Sequence, residues 1–473
     1  MNRSHHALRP AWIALLALTL SACTSLAPTY TRPAAPVAAH WPADTSPDTT
    51  GRVAADQLAW RDYFPDARLQ KLIAQALENN RDLRVAALNI ESARAQYRIR
   101  RADGVPAVSG EASQSAARTP GDLTSSGEPV ISRQYNVGLA ASWEIDLFGR
   151  IRSLEAQALE TYLATEAARS ATQVSLIAEV ANAWLTQAAD RALAELAQRT
   201  YDTQTQSLAL TQRRLELGAA ARLELSQLQT TTARARADLA AARSRVQQDR
   251  NALELLVGAP LDAALLPATL ADVEHPTAAL PVGLPAEVLV TRPDVRQAEH
   301  QLRAANANIG AARAAFFPSI QLTGGLGTAS ASLDGLFESG SRSWRFAPSL
   351  SVPIFNAGAL RASLDVAELQ RDINVARYEQ AIQTAFAEVA DALAERASLT
   401  ERADAVEALV SAARESFRLA DARYRNGLDS YLTQLDAQRT LYAAEQEQIA
   451  VQRLAAANKV DLYKVLGGGW QAP

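Results

Sequence analysis

Four stretches of this chain contain neither glycine nor proline, and their lengths constrain what it can fold into. Residues 152–217 and 359–426 run for 66 and 68 positions without either residue, and residues 219–257 and 428–466 run for 39 each. A single glycine, Gly218 or Gly427, joins each longer run to its shorter partner. Runs filled with Ala, Leu, Glu, Gln and Arg read as helices, and a lone glycine between two of them reads as a tight reversal. At a rise of 1.5 Å per residue the longer helices would reach about 100 Å. One compact domain does not cover helices of that length, so an elongated assembly is expected. The apolar residues agree. Val174, Ile177, Ala181, Trp184 and Ala188 step by three and four, as do Val406, Val410, Ala413, Phe417, Ala420 and Tyr424. Leu428, Leu435, Tyr442, Ile449, Ala456 and Tyr463 recur every seven residues. A period of 3.5 predicts left-handed coiled coils.

The chain also matches itself. Arg81-Asp82-Leu83-Arg84 returns as Pro293-Asp294-Val295-Arg296, and Val105-Pro106-Ala107-Val108 as Phe317-Pro318-Ser319-Ile320. Val180-Ala181-Asn182-Ala183-Trp184 returns as Val389-Ala390-Asp391-Ala392-Leu393, and Leu225-Ser226-Gln227-Leu228 as Leu432-Thr433-Gln434-Leu435. The same order at nearly constant offset predicts two copies of one unit, residues 60–258 and 285–467, joined by a linker over 259–284 and followed by a tail over 468–473. Between its first helix and its long helices each copy holds a candidate β-hairpin, within 105–147 and 317–355, ahead of helical hairpins at 152–257 and 359–466. Tyr135, Val137, Leu139, Ala141, Trp143 and Ile145 alternate with polar or small residues, as do Ile320, Leu322, Gly324 and Leu326. Trp143, Phe148, Phe316, Phe317, Trp344, Phe346 and Phe355 sit near strand ends, where membrane strands carry aromatic girdles. Four strands cannot close a barrel and open edges are not viable in lipid, so several chains are expected to share one barrel.

The N-terminus adds an address. Arg3 and Arg9 precede an apolar stretch, Trp12 to Leu20, too short to span a bilayer as a helix. Leu20-Ser21-Ala22-Cys23 follows, and Cys23 is the sole cysteine. This pattern resembles a bacterial lipobox. It implies removal of residues 1–22 and an S-diacylglycerol and N-palmitoyl group on Cys23, with residues 23–59 as a lipidated tether. Pro28, Pro33, Pro36 and Pro42 read as extended chain within it. The charge is close to balanced, 47 Lys and Arg against 51 Asp and Glu, which argues against a nucleic-acid partner. No nucleotide loop, zinc motif or nucleophile elbow occurs, and no enzyme activity or metal is expected.

The lipobox, the repeat, Trp143-Glu144-Ile145-Asp146-Leu147-Phe148-Gly149-Arg150, Pro353-Ile354-Phe355-Asn356-Ala357-Gly358, Thr291-Arg292-Pro293-Asp294 and Arg423-Tyr424-Arg425-Asn426-Gly427-Leu428-Asp429 together resemble the TolC/OprM-type outer-membrane factors. The nearest likeness is to the lipoprotein branch of resistance-nodulation-division (RND) efflux systems, and it covers nearly the whole mature chain. The resemblance implies a mostly α, α+β fold and a homotrimer. In it a long α-helical coiled-coil tunnel in the periplasm continues a shared twelve-stranded transmembrane β-barrel, four strands per chain. It further implies a passive exit duct in the outer membrane, opened by a periplasmic adaptor and fed by an inner-membrane RND transporter. The constriction of such ducts falls on Leu432, Asp436 and Arg439. Lock or adaptor contacts at the tips, 218–222 and 427–431, fall on Gly218, Glu224, Tyr424, Gly427 and Asp429. Asp429 stands where a well-known branch has Arg, so a lock of reversed charge, with Arg222 or Arg425, enters as one reading. Two other functions fit parts of the pattern: a duct for protein secretion with an ATP-driven exporter, and a structural coiled-coil envelope lipoprotein. The hairpins count against the second, since a tether needs no membrane strands.

Overall fold

The computed structural model describes residues 25–42, 55–276, 280 and 289–470. Cys23 and the segment before it lie outside the described residues, as do residues 277–279 and 281–284 of the expected linker. The chain divides into two compact units, one of Met1–Ala34, Asn89–Glu166 and Gln297–Tyr378, the other of Ala35–Leu88, Ala167–Arg296 and Glu379–Pro473. In chain order the main elements are α1 (Ala67–Asn79), α2 (Arg81–Ala102), β1 (Ala107–Thr119), β2 (Val130–Ile145), α3 (Arg150–Glu216), α4 (Arg222–Val257), α5 (Pro293–Ala314), β3 (Ser319–Ser330), β4 (Arg342–Ser351), α6 (Ala359–Arg425) and α7 (Tyr431–Val465). The four breaker-free runs are therefore α3, α4, α6 and α7, with ends displaced by at most three residues. Among the described residues, no helix is long and apolar enough to cross a membrane.

The first unit holds a four-stranded antiparallel sheet of order β1-β2-β3-β4. Its register sorts the side chains by face. Leu139 opposes Leu326, Leu326 opposes Trp344, Trp143 opposes Leu322, and Ile320 opposes Leu350. Because successive side chains alternate, these apolar residues share one face, and Gln134, Asn136, Gln321 and Thr323 share the other. The apolar face is bare: Leu139, Leu326, Phe346 and Leu350 are each about 60% exposed and Trp344 more so. Gly138 opposes Gly327, and a Cβ on either would meet strand backbone within 3 Å. β4 stops at Ser351, short of the expected end at residue 355, since Pro353 has no N–H to give a ladder. Phe148 and Phe317 stack at the helix end of the sheet, ring centroids 4.6 Å apart.

The N-terminal segment lies along α5 in the same unit. Asn306 donates to the Pro28 carbonyl at 2.8 Å, while Tyr30 and Arg32 both bond the carboxylate of Glu299. Gly310 permits this path, since a Cβ there would come within 2.8 Å of the Ala27 nitrogen. Burial alone would favour protonated Glu299, but hydrogen bonds from Arg303 and Arg32 outweigh it and hold the carboxyl below its ordinary range.

The second unit packs around Trp184 of α3, with Leu72 and Ile73 of α1, Leu253 and Val257 of α4, Val389 of α6 and Tyr463 of α7. The stripe from Val174 to Ala188 is buried throughout. The Trp184 indole N–H donates to the Leu265 carbonyl at 3.0 Å, and Tyr63 stacks on Tyr463 at 4.2 Å. Buried Arg292 joins three chain segments: it bonds Asp294, Glu388 of α6 and the Val465 carbonyl at the end of α7. The stripe from Val406 to Tyr424 buries Val410, Ala413 and Ala420, and the seven-residue stripe buries Leu435, Ala456 and Tyr463. Leu428 departs from it, two-thirds exposed, because it falls in the turn and not on α7.

Candidate gate at the helical tips

Both hairpins turn by the same hydrogen bonds. The N–H of Gly218 donates to Leu215 and that of Ala219 to Arg214; the N–H of Gly427 donates to Tyr424 and that of Leu428 to Arg423. This is the Schellman closure, which needs a left-handed residue after the helix. Gly218 has φ of +74° and Gly427 of +72°. A Cβ at either meets nothing within 4 Å, so these sites demand glycine for its backbone freedom alone. α7 then opens on Ser430, whose side chain accepts from the Thr433 N–H.

Above the turns the two helical hairpins meet in a small core of Leu228, Tyr431 and Leu435, with Leu208 and Tyr424 against it. There Tyr424 of α6 donates its hydroxyl hydrogen bond to the Glu224 carboxylate of α4. Arg214 of α3 adds a contact to the Tyr424 hydroxyl at 3.4 Å and lies over its ring, 5.7 Å from the centroid. Burial first, and the neighbouring Glu224 carboxylate second, raise the Tyr424 phenol above its ordinary value, so it stays a donor at physiological pH. In a second bridge between hairpins the Gln204 amide of α3 donates to the Gln438 oxygen of α7 at 2.6 Å, with Thr231 of α4 donating to the Gln204 oxygen.

Two of the expected tip residues, Glu224 and Tyr424, are thus in direct contact. Asp429 is held differently from the reading of the sequence. Neither Arg222 nor Arg425 binds it; Arg423 does, through two hydrogen bonds of 2.6 and 3.0 Å. Arg425 instead pairs with Asp421 one helical turn back, at 2.9 Å. The reason is the Schellman turn, which folds Asp429 back over the last turn of α6. Leu432, Asp436 and Arg439 occupy one exposed face of α7, and Asp436 and Arg439 make no salt bridge to each other. Arg214 and Arg423 were not singled out from the sequence. Their signal was available: they occupy equivalent places, each four residues before the glycine on which a long helix closes.

The sequence profile described as outer membrane efflux protein matches residues 72–259 and 284–468. The chain belongs to the outer membrane efflux protein family. It is 49% identical over 461 residues to the toluene efflux pump outer membrane protein TtgC of Pseudomonas putida, covering 97% of this chain and 95% of that protein. It is 46% identical over 467 residues to the outer membrane protein OprJ of Pseudomonas aeruginosa, covering 96% and 95%. Among solved structures, the open state of the Neisseria gonorrhoeae MtrE outer membrane channel superposes with a TM-score of 0.85 at 42% identity, over 95% of this chain and 99% of that one. The efflux-protein fold accounts for a mostly helical chain with one small sheet, and it places the protein in the outer membrane as the channel component of an efflux system. The family is one of channels, and its work is passage.

Proposed function

We propose that three copies of this chain form one passive exit duct, gated at the tips of α3/α4 and α6/α7. The observation that carries the reading is the open sheet with its bare apolar face. In lipid a sheet edge has no water to satisfy it, so β1 and β4 need partners from other copies, and three copies of four strands make a closed twelve-stranded barrel. The polar face then lines the bore. The repeat of element order in the two halves, helix, hairpin and two long helices, supports two copies of one unit in each chain. By likeness to TtgC, the cargo is small toxic solutes such as toluene. The partners are a periplasmic adaptor at the tips and an RND transporter in the inner membrane. A lipid on Cys23 adds an anchor in the outer membrane.

In this assembly Asp436 forms a ring of three carboxylates and Leu432 an apolar ring one turn away. Single-channel recording on the purified trimer tests the gate. Asp436→Ala should weaken block by multivalent cations and lower cation selectivity, and Leu432→Ala should raise conductance. Identical conductance and selectivity in the wild type and both variants would overturn the assignment. Native mass spectrometry reads the assembly separately, and a monomer in mild detergent would remove the shared barrel.

A further inference from the structure

A groove of about 690 Å³ opens in the second unit between α3, α4 and α7, above the tip core. Its floor is apolar, with Leu193 and Ala197 of α3, Ala242 of α4 and Leu435 of α7. Its ionised walls are unbalanced. Arg234 and Arg245 of α4 and Arg439 of α7 face a single acid, Asp238. Arg234 stands 3.7 Å from Asp238 with its side chain 82% exposed, a loose pairing that leaves its guanidinium available. Arg245 acts on the Tyr442 hydroxyl, which lines the same wall, and on Asp249, which lies outside the lining. Gln204 and Gln438 bridge α3 and α7 within it.

We infer that this groove binds small organic anions carrying two or three acidic groups on an aromatic or apolar body, with Arg234, Arg245 and Arg439 as their partners. Guanidinium groups match carboxylate, sulfonate and phosphate oxygens in forked pairs, and the apolar floor takes the body of the ligand. A cation would meet three like charges and one acid, and a neutral apolar solute would leave the arginines unpaired. The bound anion spans α4 and α7, so it braces the helix that carries Leu432 and Asp436 against the first hairpin. That this groove lies on the route of exported solute rests on the duct reading above; the binding itself does not.

Fluorescence anisotropy of 8-methoxypyrene-1,3,6-trisulfonate, titrated into the purified full-length protein in nonionic detergent, tests it. The wild type should bind saturably, one probe per chain, and more weakly as salt is raised. Arg245→Gln and Arg439→Gln should each weaken binding roughly tenfold or more. Asp238→Asn should strengthen it, and Arg245→Lys should retain part of it. Arg402→Gln, whose side chain pairs with Glu447 away from the groove, should change nothing. Absence of saturable binding in the wild type, as when a neighbouring copy fills the groove, overturns the site. So does binding that is indifferent to both Arg245 and Arg439. Bilayer conductance measured with the same probe reports separately on the duct: saturable, arginine-dependent binding without any effect on current keeps the site and removes its link to the gate.

Discussion

Tyr424 shows how much of the tip rests on one hydroxyl. Its bond to Glu224 joins α6 to α4, and a hydrogen bond to a carboxylate in a partly buried place contributes about 1–2 kcal/mol. Tyr424→Phe and Glu224→Ala should each loosen the tip, measured as more frequent spontaneous openings in bilayers. The double variant should exceed neither single change by much, since both remove the same bond. Asp249 on α4 sets a pH dependence. Burial, and then the Asp190 carboxyl beside it, raise its value from 3.8 to about 6. A carboxyl with a raised folded value takes up a proton on folding between those limits. Its contribution to stability is therefore complete below about pH 4 and lost as pH rises through about 6. At a half-buried site the amount is about 1 kcal/mol. Asp249→Asn, which mimics the protonated form, should raise the thermal midpoint at pH 8 and leave it nearly unchanged at pH 4, as followed by circular dichroism.

At the scale of elements, the helix runs are long because nothing in them stops a helix, and they reverse only where a glycine accepts a positive φ. Space around Gly427 is open, so substitution there tests backbone conformation alone. A β-branched residue held in the left-handed region costs about 1–3 kcal/mol. Gly427→Val should therefore shift the turn, displace Asp429 from Arg423, and impair drug efflux in cells while leaving the protein in the outer membrane. Unchanged drug resistance would show that the second tip has no part in export. The sheet obeys a different rule. Its strands carry apolar residues on one face and polar residues on the other, and the facing pair Gly138 and Gly327 brings β2 and β3 close.

For the whole molecule, two attachments to the membrane are proposed, the barrel and the lipid on Cys23. They are separable. Cys23→Ser should abolish acylation, seen as loss of the modified N-terminal peptide by mass spectrometry. It should leave the trimer assembled, because the strands themselves hold it in the bilayer. The hydrogen bonds of Tyr30, Arg32 and Glu299 tie the described part of the tether to α5, so its path along the first unit does not depend on the lipid. An unmodified mature N-terminus elsewhere in the wild type would remove the lipid from the scheme.

The sequence by itself determined the elements. The run 359–426 became Ala359–Arg425, and the run 152–217 became Arg150–Glu216, since glycine and proline act on the backbone within a few residues of where they stand. The alternation in 135–145 announced a two-faced strand for the same local reason. Only the tertiary structure decided which elements meet. That Leu139 faces Leu326, that Tyr424 reaches Glu224 two hundred residues away, and that three arginines of α4 and α7 share one groove depend on packing summed over the fold. Asp429 marks the boundary between the two: Arg222, Arg423 and Arg425 all lie near it in the sequence or in the expected tip, and only the closed Schellman turn brings Arg423 alone within bonding distance.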